Sequence, residues 1–258
     1  MKIVCLAENT SSGYGIAAEH GLSLYIEHNG LRILFDMGQS DLFLRNAEKL
    51  GVDLSLVDFA VLSHGHYDHG GGIPHFLNMN KKAPVYISPY AFGEYYNGKD
   101  KYIGLDAALQ NEPRLLQIER PTELCRGITL YPAEFKNRLF DTESFGLTER
   151  KCEVIVPDTF RHEQFMVIKE NERSVLFSGC SHSGIRDIVN LYRPDVFVGG
   201  FHLSKLSSSE ECGKYASFLN SFDCDYYTCH CTGTDVYGYM REQMKNLEYI
   251  SAGDTLVL

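Results

Sequence analysis

Residues 64–69 constrain this chain more than any other feature, because they read His-Gly-His-Tyr-Asp-His and carry four potential metal ligands. A regular helix cannot direct all four to one point, since residues two apart lie on roughly opposite sides of it. A tight turn can do so, and Gly65 and the glycines at 70–72 supply backbone freedom. The apolar residues 59–62 predict a buried strand before the turn. We therefore expect a metal-binding turn at a strand end.

The chemistry of these four groups narrows the interpretation. Three imidazoles and a carboxylate are borderline-to-hard ligands that suit Zn, Mn or Fe, and two metal ions can share such a set. The alternative is a solvated, histidine-rich turn without metal. That interpretation suits a single histidine, whereas four ligand groups in six residues behind a strand favour a metal site.

Composition limits the class of protein and its partners. With 258 residues, of which 44% are hydrophobic and 22% charged, the chain is long enough for a domain with a sizeable core. The formal net charge of −10 argues against nucleic acid as the main partner, because phosphate backbones bind to basic surfaces. A small phosphate is not excluded, since it needs only local positive charge.

No targeting or membrane segment is predicted. The apolar N-terminal run meets Glu8 too early for a signal peptide, and no stretch approaches the ~20 apolar residues of a membrane span. The eight cysteines include no CxxC pair, so we expect reduced thiols in a cytoplasmic protein. Cys224, Cys229 and Cys231 suggest a metal cluster, but burial of small thiols is the favoured interpretation.

The pattern of elements predicts one continuous domain over residues 1–258. Two β-hairpins are expected, at 21–36 around Asn29-Gly30 and at 165–177 around Asn171-Glu172. We interpret residues 90–150, which are rich in tyrosine, as a partly helical insertion or lid. The other predicted elements are a helix capped by Ser40 and ending at Gly51, strands at 59–63, 84–88, 195–198 and 225–229, and helices at 184–192, 209–221 and 235–246.

Histidines recur at the ends of predicted strands. Separate apolar runs are followed within a few residues by His64, by Cys180 and His182, by His202, and by His230. Sites in sheet proteins are commonly built at such strand ends. One histidine alone would indicate a hydrogen-bonded structural residue, but four in equivalent positions predict a shared site.

Two of these strand ends also open predicted helices. Ser183-Gly184 and Thr232-Gly233-Thr234 each precede a helix, where free backbone N–H groups favour an anion. Ordinary N-capping by Ser183 and Thr234 is an equally good interpretation.

Five motifs occur in an order that resembles a known family. The residues 64–72 are similar to the metal-binding turn of the metallo-β-lactamase superfamily. All five together resemble its dihydropteroate-synthase-like branch, which includes archaeal 7,8-dihydropterin-6-methyl-4-(β-D-ribofuranosyl)-aminobenzene-5′-phosphate synthase. The motifs are EHGLS from residue 19, HGHYDHGGG from residue 64, SGCSHSGI from residue 178, GGFHL from residue 199 and HCTG from residue 230.

The resemblance implies both the fold and the metal ligands. The fold would be an αββα sandwich of the α+β class. In the superfamily's turn, the positions of His64 and His66 hold one metal ion, and those of Asp68 and His69 hold the second. His230 corresponds to the last histidine ligand of the second ion. The flavodiiron branch has Glu where His66 stands, so a hydrolytic centre is favoured over a redox centre.

Two departures from the superfamily pattern leave ligands open. Cys180 stands where a bridging Asp is usual, and a thiolate there can bridge or cap a metal ion. The usual GHTxG ligand is missing, and residues 157–162 occupy its place. We expect His182 to be the replacement ligand, with Asp158 or His162 as the alternatives.

Three further residues are assigned to the neighbourhood of the site. His202 is expected near the substrate, as a proton donor to a substrate oxygen or leaving group, while a direct metal role stays open. Glu19 and His20 lie in an early loop that such folds bring near the site.

These expectations define a function. The chain should be a metal-dependent hydrolase with two divalent ions, zinc first and Mn, Fe or Ni as alternatives, and with Asp68 and His202 as catalytic residues. The substrate should be a small, phosphorylated anion, for phosphoester hydrolysis or pterin-diphosphate condensation. Lys205 or Arg186 would add positive charge, and tyrosines of the 90–150 region would stack on an aromatic group. A diiron redox protein and a metal-binding sensor are the alternatives, and the oligomeric state is left open.

Overall fold

A computed structural model describes residues 1–13, 15–133, 139–140, 144–206 and 208–258. The strands are β1 Lys2–Ala7, β2 Ser23–His28, β3 Leu31–Phe35, β4 Phe59–Val61, β5 Val85–Ile87, β6 Glu94–Asn97, β7 Lys101–Tyr102, β8 Leu115–Gln117, β9 Thr122–Cys125, β10 Ile128–Pro132, β11 Leu147–Lys151, β12 Val154–Pro157, β13 Gln164–Glu170, β14 Arg173–Ser178, β15 Val196–Gly199, β16 Asp225–Thr228, β17 Leu247–Tyr249 and β18 Thr255–Val257. The α-helices are α1 Leu42–Lys49, α2 Tyr67–Gly70, α3 Ile73–Met79, α4 Ile185–Tyr192, α5 Ser209–Leu219 and α6 Thr234–Arg241.

Two seven-stranded sheets form the body of the protein. The first has the order β18-β1-β2-β3-β4-β5-β8, and the second has the order β17-β16-β15-β14-β13-β10-β9. Each contains an antiparallel hairpin, β2–β3 or β13–β14, whose second strand is followed by parallel strands. Because parallel strands end at the same edge of a sheet, the loops after them are gathered in one place.

Alternating apolar residues build a core between the sheets. In β3, Ile33 and Phe35 face this core, whereas Leu34 faces the opposite side of the first sheet. In β14, Val175 and Phe177 do the same for the second sheet. This period of two is the pattern that a sheet covered on both faces requires.

Helices cover the outer face of each sheet. Phe43 of α1 and Phe76 of α3 join Leu34 in the core outside the first sheet. Ile188 of α4 and Met240 of α6 belong to the core outside the second sheet. The layers therefore run helix, sheet, sheet, helix, which confirms the predicted αββα sandwich.

Both predicted hairpins are confirmed. Asn29 and Gly30 have φ values of 48° and 81°, the left-handed pair that a tight two-residue turn needs. Asn171, with φ 56°, opens the second hairpin turn. The Ser40 hydroxyl accepts a hydrogen bond from Leu42 N at 3.1 Å at the start of α1, but the N-cap residue of the helix is Asp41, one position later than predicted.

The region from 90 to 150 differs from the prediction. Of its described residues, only Ala107–Leu109 is helical, as a short 3₁₀ turn, so the expected partial helicity is wrong. Instead, β6, β7, β11 and β12 form a small third sheet, and β8, β9 and β10 extend the two main sheets. A small apolar core of Tyr95, Ile103, Leu147 and Phe160 stabilises the third sheet. Aromatic and β-branched residues of this kind favour strands.

All eight cysteines are free thiols, as expected for reduced cysteines. Cys229 lies in the core between the sheets and Cys224 in the core under α4–α6, in agreement with the favoured burial interpretation. Within the described residues, no helix combines the length and apolar character needed to cross a membrane.

Candidate metal centre

Strand ends from both sheets meet at one edge of the sandwich. The 64–69 turn follows β4, Asp36 follows β3, and Cys180, His202 and His230 follow β14, β15 and β16. Asp36, His202 and His230 have φ values of 59°, 54° and 48°, which non-glycine residues adopt at a cost. Such strained residues concentrate at functional sites.

The 64–69 segment is less simple than the predicted turn. Its backbone is extended at His66 and then forms the one-turn helix α2, in which His69 N and Gly70 N donate to the His66 carbonyl. Its glycines serve close packing rather than positive φ, since a Cβ on Gly65 would lie 2.2 Å from the Ala91 carbonyl oxygen. The change from extended to helical backbone brings all four ligand residues to the same edge.

The first ligand group consists of His64, His66 and His182, all buried, with ligand atoms within 4.8 Å of one another. The Nε2 atoms of His64 and His182 face each other at 3.2 Å. The Ser63 hydroxyl donates to Asp36 at 2.7 Å and so accepts from His64 Nδ1 at 2.9 Å. Because His64 Nδ1 carries the proton in this series of hydrogen bonds, His64 Nε2 has a lone pair, which points at His182.

The second ligand group consists of Asp68, His69 and His230. The His69 and His230 Nε2 atoms lie 3.2 Å apart, and Asp68 Oδ2 lies 3.3 Å from the latter and 3.9 Å from the former. His69 Nδ1 donates to Asp36 at 2.7 Å and His230 Nδ1 donates to Asn9 Oδ1 at 2.7 Å. Neutral imidazoles bonded in this way have lone pairs on both Nε2 atoms.

This arrangement fits divalent metal ions. The Nε2 lone pairs of His69 and His230 face each other at 3.2 Å and repel unless a cation lies between them, and His64 and His182 bring their Nε2 atoms to the same distance. His66 Nε2 is buried with no hydrogen-bond partner among the described residues. Each His64 and His69 ring is fixed by a hydrogen bond on its other nitrogen, which is the usual support for a metal-bound histidine.

The protonation states suit metal binding at neutral pH. Burial lowers the pKa of His64 and His182 well below the usual value, and burial also lowers the pKa of His66 and His230. Neutral imidazoles are the form that binds metal ions. The first group is therefore ready for a cation without first losing protons.

The acidic second group behaves differently. Burial would raise the pKa of Asp68, but His69, His20 and His230 lower it well below its usual value, so the carboxylate is ionised. For His69, burial lowers the pKa, yet Asp36 and Asp68 more than offset this, and the pKa is raised. A proton therefore competes with a cation for His69.

Cys180 follows the end of β14 and lies beside His69 of the second ligand group. Its Sγ is 3.2 Å from His69 Nε2, and it groups with His64 and His69 as ligand atoms within 4.8 Å. Burial raises the pKa of the thiol well above its usual value. A neighbouring dication would favour the thiolate.

The two alternative ligands form a separate pair. Gly65 N donates to His162 Nδ1 at 2.9 Å, so Nε2 carries the proton and donates to Asp158 at 3.1 Å. Both nitrogens of His162 are thereby used. Asp158 lies 3.8 Å from His66 Nε2 and groups with His66 and His162. The geometry thus favours His182 as the third ligand of the first group and gives Asp158 and His162 a supporting position.

Of the three residues predicted to lie near the site, His202 and His20 do so and Glu19 does not. His202 lies beside His182, with ring centroids 4.1 Å apart and ring planes tilted by 58°. His20 is half exposed and lies 3.2 Å from Asp68 Oδ2. Glu19 instead turns away to accept a hydrogen bond from the Ser40 hydroxyl at 2.5 Å, so its predicted place beside the site is not what the structure shows.

Four supporting residues were missed by sequence reasoning. Asp36 joins the two ligand groups, because it accepts from both Ser63 and His69. Asn9 positions His230, and Glu8 accepts from His230 N at 2.6 Å. Glu163 accepts from His182 N and Ser183 N, each at 2.8 Å. The only sequence signal was for Asp36, a carboxylate directly after an apolar strand.

A cleft of about 250 Å³ opens onto the ligand groups. The small third sheet supplies one wall through Asn97, Lys101, Ile103 and Leu147, and the strand-end loops supply the other. Tyr90, Tyr95, Tyr96 and Tyr102 do not line it, although Tyr67 does, so the predicted stacking residues are in the wrong place.

The predicted anion-binding groups are only partly available. The N–H groups of His182 and Ser183 are already bound by Glu163, which removes the first helix-opening turn as an anion site. Arg186 lies over the rings of Phe140 and Tyr215, away from the cleft. Lys205 lines the cleft as predicted, and so does Lys101, which was not predicted.

Comparison with known families agrees with this site. The family described as the metallo-beta-lactamase superfamily matches residues 17–220, and the chain belongs to this superfamily of metal-dependent hydrolase fold. The solved structure titled Tm1679, a metal-dependent hydrolase of the beta-lactamase superfamily, is 32% identical with a TM-score of 0.83. The match covers 100% of this chain and 99% of the chain in that solved structure.

Two relatives come from Methanocaldococcus jannaschii. An uncharacterized protein is 30% identical over 248 residues, covering 92% of each chain. The 7,8-dihydropterin-6-methyl-4-(beta-D-ribofuranosyl)-aminobenzene-5'-phosphate synthase is 28% identical over 280 residues, covering 98% of this chain and 95% of the relative. The resemblance inferred from the five motifs is confirmed.

Proposed function

We propose that this protein is a hydrolase with two divalent metal ions, zinc first, acting on a small phosphorylated substrate. The observation that carries the proposal is the pair of adjacent ligand groups, each with two imidazole Nε2 atoms 3.2 Å apart in a buried site. The ring centroids of His64 and His69, one from each group, are 4.1 Å apart. The two groups would therefore hold two cations side by side.

The cations would supply Lewis acidity, which lowers the pKa of water toward neutrality and stabilises negative charge on an attacked oxygen. Asp68 lines the cleft as an ionised carboxylate and can orient a water molecule by accepting its hydrogen bond. His202 also lines the cleft, and burial followed by the nearby His66 and His230 lowers its pKa to about 3. As a neutral imidazole it donates a hydrogen bond to a substrate oxygen.

The substrate class rests on the two cleft lysines. Lys101 comes from the third sheet and Lys205 from the loop after β15, so they reach the cleft from different elements. Two ammonium groups next to divalent cations favour a phosphate, despite the net charge of −10 of the whole chain. Lys101 also gives the 90–150 region a direct part in binding, as a lid would have.

A metal-reconstituted screen tests the proposal. Phosphomonoesters, phosphodiesters, lactones and pterin diphosphates should be compared, with metal content measured in parallel. We expect two equivalents of metal and turnover of a phosphorylated compound. One equivalent at saturation would contradict the two-metal site, and turnover of lactones alone would contradict the substrate class.

The lysines offer a sharper test of the substrate class. Lys101→Ala and Lys205→Ala should each raise KM for the phosphorylated substrate severalfold with little change in kcat, as expected for about 1 kcal/mol of screened attraction. Lys99→Ala is the matched control, because Lys99 is exposed on the same hairpin and does not line the cleft. Equal effects of all three substitutions would show that Lys101 and Lys205 have no specific part in binding the substrate.

Condensation of a pterin diphosphate is the second candidate. It is favoured by the similarity to the synthase over 98% of this chain. Incubation with a pterin diphosphate and an aminobenzene nucleophile separates the two functions by the pterin product. Both reactions release diphosphate, but hydrolysis leaves hydroxymethylpterin, whereas condensation joins the pterin methylene carbon to the nucleophile through a new carbon–nitrogen or carbon–carbon bond.

A further inference from the structure

A third set of ligand atoms lies beside the two groups described above. The sulfur group consists of Cys180, Cys231 and His202, whose ligand atoms lie within 4.8 Å of one another. We propose that it is a separate binding site for a thiophilic metal ion such as Cu⁺ or Cd²⁺. Its existence does not depend on the proposed hydrolytic activity.

The fold brings these residues together by equivalent positions. β14 and β16 each pair in parallel with β15, and the three residues follow the ends of these three neighbouring strands. Backbone contacts fix the loops: Cys231 Sγ donates to the Cys180 carbonyl at 3.4 Å, and His202 N donates to Cys231 Sγ at 3.2 Å. The convergence is thus part of the sheet, and needs no rearrangement.

The imidazole of His202 is the second observation. Both of its ring nitrogens are shielded from solvent and have no hydrogen-bond partner among the described residues. A buried polar nitrogen without a partner costs free energy on the order of 1–3 kcal/mol. A metal ion bound by one nitrogen would reduce that cost, and both thiol sulfurs lie within 4.8 Å of a ligand nitrogen of His202.

The ligand chemistry separates this site from the other two groups. Imidazole and carboxylate ligands suit Zn, Mn or Fe, whereas two sulfurs with one nitrogen select softer ions. Cys231 lines the cleft, so an ion reaches the sulfur group from solvent. An ion there would engage His202, which the proposed function uses, and we therefore expect it to inhibit hydrolysis.

Cadmium titration of the zinc-loaded protein tests the site by absorption. The wild-type protein should take up one additional equivalent of Cd²⁺ and develop the ultraviolet charge-transfer absorption of a cadmium–thiolate bond. Cys231→Ser should lose that equivalent and most of the absorption. Cys229→Ser is the matched control, because this buried thiol lies two residues away in the core between the sheets. The same spectrum in Cys231→Ser as in wild type would overturn the proposal.

A second measurement uses the wild-type protein, so it does not depend on whether a variant folds. Thiol alkylation of wild-type protein, read by mass spectrometry of peptides, should show Cd²⁺ protecting Cys231, while the exposed Cys152 reacts equally with and without the ion. Equal labelling of Cys231 in both conditions would also overturn the site. Asp68→Ala should retain the cadmium signal, and this outcome separates the sulfur group from the proposed two-metal function.

Discussion

The first ligand group contains three imidazoles, whereas the second combines two imidazoles with the carboxylate of Asp68. Burial dominates the first group and keeps its histidines neutral. Carboxylates lie closer to the ligand imidazoles of the second group: Asp36 Oδ2 is 2.7 Å from His69 Nδ1 and Asp68 Oδ2 is 3.3 Å from His230 Nε2, whereas Asp158 Oδ2 is 3.8 Å from His66 Nε2 in the first. Negative charge in a buried site attracts a metal ion strongly, but it attracts a proton as well. Tight binding and sensitivity to acid are therefore coupled in the second group and not in the first.

Removal of the carboxylate from the second group should have the largest effect. Asp68→Ala should lose one of two metal equivalents and reduce kcat on the order of 10³-fold, because the residue both holds an ion and orients the reacting water. Metal analysis and steady-state kinetics measure the two effects. Asp41→Ala, a change in an exposed ion pair with Arg45, is the control. Loss of both equivalents would mean that the two groups are not separate.

Substitution of the residue that joins the groups should come next. Asp36→Asn keeps the shape and tolerates the left-handed backbone, but its amide cannot accept all three hydrogen bonds from Ser63 and His69. Both metal ions should bind more weakly, by up to about 100-fold. Competition with a chelator measures each affinity. Weakening of one ion alone would show that Asp36 supports a single group.

The ligands could be predicted from the sequence because each carries a local signal. His64, His66, Asp68 and His69 lie within six residues, and His182 and His230 follow apolar strands. The supporting residues lacked such a signal: Asn9 meets His230 across 221 positions of the chain, and only the folded sheets bring the two together. A lone asparagine or glutamate in a loop has no pattern to recognise.

The strands could be predicted where residues facing the two cores alternate regularly, and the prediction failed where the strands are short. β2–β3 and β13–β14 have strong turn signals and alternate between two cores. β6 and β7 have four and two residues, and β6, which pairs with β7, also pairs with β11 about 50 residues further along the chain. Strand preference in such segments comes from tertiary contacts rather than from local sequence.

Paired substitutions then sharpen the comparison between the groups. Ser63→Ala removes the hydrogen bond on His64 Nδ1, while His69 keeps its own bond to Asp36, and Asn9→Ala removes the hydrogen bond on His230 Nδ1. Each should weaken one ion by about tenfold, the lower end for such supporting contacts, and leave the other unchanged. In the double variant, each ion should be weakened by the same factor as in the corresponding single variant. If each single change weakened both ions equally, the two groups would act as one.

The smallest expected effect is a difference in the pH at which the ions are released. The raised pKa of His69 means that its imidazolium persists to higher pH than an ordinary histidine, so protons compete with the second ion as pH falls through that value. The pKa of His64 is lowered well below the usual value, so the first group stays deprotonated to lower pH. The second ion should therefore leave first on acidification. Metal content after dialysis at stepwise lower pH, compared with Asp68→Ala to assign the remaining ion, measures the order. Release of the first ion before the second would show that ligand charge, rather than proton competition at His69, controls retention.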